Sequence, residues 1–172
     1  GADGGLGLPV LDRLLKDGWR VAAVIHSPDK AAALAARFPG AGLRVVAADL
    51  TAEDAVQDLF AGIDALAAVV HLAGGFAAAH TLGETGADAF DRMIRLNTRA
   101  TFLVLRAAME ALKQRSGGGA IVTIGARPAV HPGAENATYA ASKAAVISLT
   151  LTAAEEGRAS GVRANVLVPN VI

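Results

Sequence analysis

The sequence predicts a single doubly wound α/β domain built on a parallel sheet, and three observations carry that reading. Apolar runs at residues 20–25, 43–47, 65–72, 120–124 and 162–168 lack strict polar alternation, as strands covered on both faces do. Segments with helical spacing lie between these runs, which implies right-handed crossovers and a ligand crevice at the carboxyl ends of the strands. A glycine-rich stretch opens the chain and passes at once into the first helix.

That helix covers residues 8–17, with Leu11, Leu14 and Leu15 on one face and Gly18 suited to the C′ position. A second helix opens at Ser27-Pro28, an N-cap followed by a proline at the first helical position, and runs to residue 38. A third opens at Thr51, whose hydroxyl can pair with Asp54 in a capping-box arrangement. Two longer helices follow at 87–115 and 136–159. Gly117, Gly118 and Gly119 form the turn after the first of these, and Gly161 ends the second. Residues 1–172 show no repeat, linker or low-complexity tract, so the reading is one domain.

Composition narrows the function classes. Hydrophobic residues make up 53% of the 172 and aromatics 4%, which describes a core of Ala, Val, Leu and Ile. Sixteen basic side chains balance sixteen acidic ones, leaving no basic footprint for nucleic acid or an anionic lipid surface. The least polar stretch, 65–79, is interrupted by His71 and falls short of the roughly 18 apolar residues of a membrane span. With no cysteine there is no disulfide, thiolate nucleophile or Cys-ligated metal, and a reducing cytoplasm fits. No metal site is expected.

Five features bear chemistry. Gly1, Gly5 and Gly7 have the G-x-x-x-G-x-G spacing ahead of a helix, where bare backbone N–H groups and the helix's positive end can meet a pyrophosphate; a plain glycine-rich turn is the alternative. His71-Leu72-Ala73-Gly74-Gly75 ends an apolar strand with small residues that let a cofactor lie against the backbone, or forms an ordinary turn. Asp49, followed by Leu50, can accept from an adenine amino group or act as a helix cap. Tyr139 and Lys143 stand at i and i+4 on one helix face, where an ammonium can favour a phenolate; a surface pair is the alternative. Asn97, a mediocre helix former inside a long helix, marks a bend or a bound water, or simply faces solvent.

Taken in order, these motifs resemble the short-chain dehydrogenase/reductase family over essentially the whole chain. Gly1, Gly5 and Gly7 match its glycine loop, with Leu6 inside it; Ala73 and Gly74 match its N-N-A-G segment, Asn97 its helix asparagine, and Tyr139 with Lys143 its Y-x-x-x-K pair. The resemblance implies a Rossmann-type fold and hydride transfer between a nicotinamide and a carbonyl or alcohol carbon of a small-molecule substrate. Tyr139 would give or take the proton on oxygen. Lys143 would lower the Tyr139 pKa and hold the nicotinamide ribose, and Asn97 would hold a water linking Lys143 to solvent.

One position departs from the family. The serine that polarises the substrate oxygen stands thirteen residues before the tyrosine, and here that residue is Ala126. Thr123, three places earlier on a strand, points to the other face. Two readings follow. The chain resembles the quinonoid dihydropteridine reductase branch, which keeps Tyr and Lys without the serine and has an aromatic where Phe76 stands. Alternatively it binds dinucleotide without turnover, as a redox sensor or oligomer scaffold. Loss of an oxyanion-type donor costs about 10²- to 10³-fold, so Ala126 leaves catalysis open, and the intact Tyr-Lys pair favours an enzyme.

An acid ending the second family strand would favour NAD and a neighbouring Arg NADP; those places hold Ile25 and His26. His26 with Ser27 can hydrogen-bond a 2′-phosphate, so the site leans to NADP(H). The resemblance also places a central strand before Gly1 and substrate-covering elements after residue 172, so these residues are expected to be a fragment of a longer domain. It further implies a homodimer or homotetramer through the two long helices.

Overall fold

The computed structural model describes residues 1–40, 42–77 and 80–170. Residues 78–79 of the predicted apolar stretch and 171–172 of the tail lie outside the described residues.

All five predicted strands form, as β1 (Val21–Ile25), β2 (Leu43–Ala47), β3 (Ala68–His71), β4 (Gly119–Ile124) and β5 (Val162–Leu167). Every pairing is parallel, β1 with β2 and β3 with β4 with β5. The helices are α1 (Gly7–Lys16), α2 (Ala31–Arg37), α3 (Glu53–Ala61), α4 (Ala87–Met93), α5 (Ala100–Lys113) and α6 (Ala137–Gly157). The chain alternates strand and helix through β1, α2, β2, α3 and β3, which makes the layered fold that the apolar runs predict.

Two apolar clusters hold the layers. Leu105, Ala108, Met109 and Leu112 of α5 and Ala153 of α6 pack on Ile121, Val162 and Ala164 of the sheet. Leu11 of α1 and Leu34 of α2 pack on Ala23 and Ile25 of β1. Each fully buried Leu, Ile or Met contributes about 1.5–3 kcal/mol, which offsets the entropy of ordering these helices.

The sheet lies in two parts, β1-β2 and β3-β4-β5. Between them is a slot of about 630 Å³, lined by Val21, Val24, Ala67, Val70, Leu59 and Val104 among others. It lies where the family resemblance puts the strand preceding the glycine loop. The chain enters alongside β1, where the Gly1 amine and the Ala2 N–H both donate to the Val24 carbonyl. Residues 65–67, predicted as strand, line this slot; of these the Ala67 carbonyl accepts from the Ala120 N–H at 3.3 Å, and the regular β3 ladder runs over Ala68–His71.

Three local expectations change. The segment after Ser27-Pro28 begins as a 3₁₀ turn, Pro28–Lys30, before α2. Thr51 does not cap α3: its hydroxyl donates to Asp49 Oδ1 at 2.8 Å, and Ala52 occupies the cap position. The helix expected at 87–115 is interrupted by a π-helical stretch, Ile94–Arg99, between α4 and α5. Among the described residues no helix is long and apolar enough to cross a membrane.

Candidate active site

The glycine loop turns tightly into α1. A Cβ on Gly7 would clash with the Gly1 carbonyl oxygen, and one on Gly1 would meet the Ala73 nitrogen at 2.7 Å. Neither contact is tolerable, so the loop lies flat against the Leu72-Ala73 backbone at the end of β3 only with glycine at these places. At Gly5 a Cβ would meet nothing within 4 Å, so the loop presents backbone to open space above α1, with Leu6 at the N-cap. That is a cradle fit for a pyrophosphate.

Beside this cradle the structure brings Gly74, Asn97 and Lys143 together. A Cβ on Gly74 would lie 2.7 Å from Asn97 Oδ1 and 3.2 Å from Lys143 Nζ. Asn97 is fully buried, and its amide pairs with both polar groups of one backbone unit: Oδ1 accepts from the Gly75 N–H at 2.9 Å and Nδ2 donates to the Gly75 carbonyl at 3.0 Å. Nδ2 also donates to Ser142 Oγ at 3.0 Å, and Ser142 Oγ donates to the Tyr139 carbonyl at 2.8 Å. Asn97 sits in the π-helical stretch, a distortion that recurs at functional sites.

The resemblance gave Asn97 a water link to Lys143. Its amide is committed to Gly75 and Ser142, and its backbone carbonyl accepts from both Thr101 Oγ1, at 2.6 Å, and the Ala100 N–H.

Lys143 is buried and donates to the Ile124 carbonyl at 2.8 Å, at the carboxyl end of β4. Burial pulls its pKa from 10.5 to about 8. Burial also raises the Tyr139 phenol above its ordinary value. The expected lowering of Tyr139 by the lysine charge is therefore not met in this geometry, because the ammonium is turned to the Ile124 carbonyl. The Tyr139 ring stands edge-on to Phe76, with centroids 5.0 Å apart and planes at 84°. Next to this pair, a cavity of about 490 Å³ is lined by Phe76, His80, Arg92, Glu135 and Thr138.

At the position of the family serine, Ala126 is buried in extended backbone. Thr123, as its strand position requires, points away: its hydroxyl pairs with that of Thr150 at 2.7 Å in the interior. The Ser142 hydroxyl is likewise engaged by Asn97 and the Tyr139 carbonyl. Neither hydroxyl replaces the missing one.

The remaining predicted residues sit farther along the crevice. His26 is exposed at the end of β1. Asp49 Oδ1 accepts from both the N–H and the hydroxyl of Thr51, which with the nearby charges of His26 and Arg95 holds its carboxyl below the usual range. Its side chain thus closes an Asx turn leading into α3, and its second oxygen, 3.9 Å from Arg95, remains part-exposed. Leu50 is half-buried and lines the slot with Gly1 and Ala2.

Sequence reasoning missed Ser142 and Gly75 as the partners of Asn97. The one available signal was a serine directly before the lysine on the buried face of α6. It also missed His71, whose imidazole is buried with Nε2 unpartnered among the described residues and whose pKa burial drives from 6.5 to about 3.

Residues 1–172 match the profile of the short chain dehydrogenase family. The chain is similar to (3R)-3-hydroxyacyl-CoA dehydrogenase of Canis lupus familiaris, 33% identical over 187 residues that cover 100% of this chain and 71% of that protein. It is 34% identical over 156 residues to the inactive 2-(S)-hydroxypropyl-CoM dehydrogenase 2 of Xanthobacter autotrophicus, covering 87% of this chain and 66% of that one, just under two thirds of its length. Among solved structures, ElxO with NADP bound superposes with a TM-score of 0.93 at 25% identity, over 99% of this chain and 71% of that one.

Proposed function

Because the chain belongs to the short-chain dehydrogenase family, whose members are NAD(P)-dependent oxidoreductases, we propose that it transfers hydride between NAD(P)H and a small carbonyl, quinonoid or alcohol substrate. The observation that carries this reading is the meeting of Gly74, Asn97 and Lys143 beside the glycine cradle, with Tyr139 one helical turn before Lys143. When bound, the dinucleotide supplies or accepts the hydride at the substrate carbon.

The chain's residues then have separable jobs. The glycine loop and the α1 N-terminus hold the pyrophosphate. Gly74 leaves room for the nicotinamide ribose beside the Lys143 ammonium. Tyr139 gives its phenolic proton to the substrate oxygen in reduction and takes it back in oxidation. Asn97 positions Gly75 and, through Ser142, the main chain at Tyr139. Phe76, edge-on to Tyr139 and more than half exposed, offers an apolar wall that suits a planar, conjugated substrate and supports the quinonoid side of the reading.

Calorimetry with NADH and NADPH, then hydride-transfer assays with a quinonoid pterin, quinones and simple ketones, test the proposal on the full-length gene product. Tyr139→Phe is expected to keep dinucleotide affinity while turnover falls at least about 100-fold. Unchanged turnover in that variant would remove Tyr139 as proton donor.

A second reading, dinucleotide binding without turnover, draws support from Ala126 and from the engagement of Thr123 and Ser142 elsewhere. Binding by the wild type with no turnover on any of those substrates would favour it. Pairing of two copies through α5 and α6 belongs to the same proposal, supported by the exposed side chains of Phe102 and Leu151. A cytoplasmic setting also belongs to it, supported by the absence of cysteine.

A further inference from the structure

The turn after β2 is held by two arginines of the π-helical stretch that also carries Asn97. Ala48 continues the edge of the sheet, its N–H donating to the Ile25 carbonyl at 2.9 Å, and Asp49 follows at the carboxyl end of β2. Thr51 closes the turn on Asp49 with both its N–H and its hydroxyl, each 2.8 Å from Oδ1. Arg95 Nε donates to the Thr51 hydroxyl oxygen at 3.2 Å, and Arg99 Nε donates to the Thr51 carbonyl at 2.9 Å. A hydroxyl has one proton and a guanidinium can only donate, so the Thr51 proton is committed to Asp49. Asp49 Oδ2, 3.9 Å from Arg95, is left without a hydrogen bond among the described residues.

We infer that Arg95, acting through the Thr51 hydroxyl, is a positioning residue that aims Asp49 Oδ2 at the amino group of adenine and so makes the site choose its base by hydrogen-bond pattern. The inference rests on the dinucleotide-binding reading above. The Thr51 N–H and hydroxyl, followed by the nearby charges of His26 and Arg95, hold the Asp49 carboxyl below the usual range, so near neutrality it is ionised and only accepts. With Oδ1 taken by Thr51, Oδ2 needs a donor. Adenine supplies one at its 6-position, whereas hypoxanthine presents a carbonyl oxygen there and sets acceptor against acceptor. Without the Arg95 donor the Thr51 hydroxyl is free to turn from Asp49, and the carboxylate loses the bond that fixes its rotation. Arg99 holds the main chain of the turn and touches neither the hydroxyl nor the carboxylate.

The test is calorimetry of the full-length gene product with whichever of NADH and NADPH binds tighter, set against the same dinucleotide carrying hypoxanthine in place of adenine. Wild type is expected to bind the adenine form about tenfold tighter, the size of one hydrogen bond to a charged group. Arg95→Met and Thr51→Val are expected to bring that ratio below about threefold, chiefly by weakening the adenine form. Thr51→Ser retains the hydroxyl and is expected to retain the ratio. So is Arg106→Met, which removes an arginine paired with Glu53 at 2.6 Å and leaves the turn untouched. Circular dichroism checks that the variants fold. An arginine with a merely structural role weakens both forms alike. Equal binding of the two forms by wild type, or a ratio unmoved in both Arg95→Met and Thr51→Val, therefore overturns the inference while the family reading stands. Failure of the wild type to bind either NADH or NADPH overturns both.

Discussion

The Lys143 ammonium donates to the Ile124 carbonyl at 2.8 Å, so the amine of the Tyr-Lys pair is moored to the end of β4 instead of to the phenol beside it on α6. This bond joins the Thr123–Thr150 pair and the Ala153 packing in tying α6 to the sheet, and it does so at the mouth of the crevice. Burial governs both side chains, lowering the lysine and raising the tyrosine.

The buried lysine makes stability depend on pH in the alkaline range. Below pH 8 both the folded and unfolded states carry the proton, and the cost of burying the ammonium is constant. Above a folded-state pKa of about 8 the native protein sheds it, while the unfolded chain holds it to 10.5, so stability rises with pH across that window. The contribution amounts to at most about 3 kcal/mol. Denaturant unfolding between pH 7 and 10.5 is expected to show wild type gaining on Lys143→Met as pH rises. A pH-independent difference between the two would refute this account of Lys143.

Replacing Ala126 by serine tests the missing hydroxyl directly. The backbone there is extended, at φ −160° and ψ 151°, which serine adopts without strain. Turnover of a simple ketone is expected to rise by up to about 100-fold, since removing such a donor costs about 10²- to 10³-fold. Dinucleotide Kd values are expected to stay within about twofold, because the change adds a donor facing substrate and leaves the glycine cradle intact. Steady-state kinetics would count against the assignment if kcat were unmoved while the variant bound cofactor normally.

Gly74→Ala would set a methyl 2.7 Å from Asn97 Oδ1. The amide must shift, straining its bonds to Gly75, and the expected loss is about 1–3 kcal/mol, the usual range for overpacking a tight site. Gly83→Ala, where a Cβ meets nothing within 4 Å, serves as the control for a glycine substitution without a clash. If the clash is the cause, combining Gly74→Ala with Asn97→Ala destabilises by less than the two separate losses added. Strict additivity in chemical denaturation would show that the methyl acts elsewhere.

The strands were legible because each is a mostly apolar run, interrupted by Arg44 in β2 and by Arg163 and Asn165 in β5, and β2 has the predicted boundaries, residues 43–47. The long helix through Asn97 was legible as a helix but not as an interrupted one. Its π-helical turn accompanies the capture of the Asn97 side chain by Gly75, twenty-two residues away, and no local pattern encodes that contact. Thr51 failed as a cap for a similar reason. Asp49, two residues before it, competes for the same hydroxyl, and Arg95 and Arg99 reach the turn from the helix across the layer.

What the sequence determined by itself was the order of strands and helices, the place of the glycine loop and the one-face pairing of Tyr139 with Lys143. Periodicity, chain chirality and the lack of side chains at glycine are local properties, written residue by residue. Only the tertiary structure decided which way Lys143 donates, that Ser142 and Gly75 complete the setting of Asn97, and that Arg95 and Arg99 meet Thr51 across the layer. Those are choices among polar partners distant in the chain. They are settled by which donors and acceptors burial leaves within about 3 Å of one another.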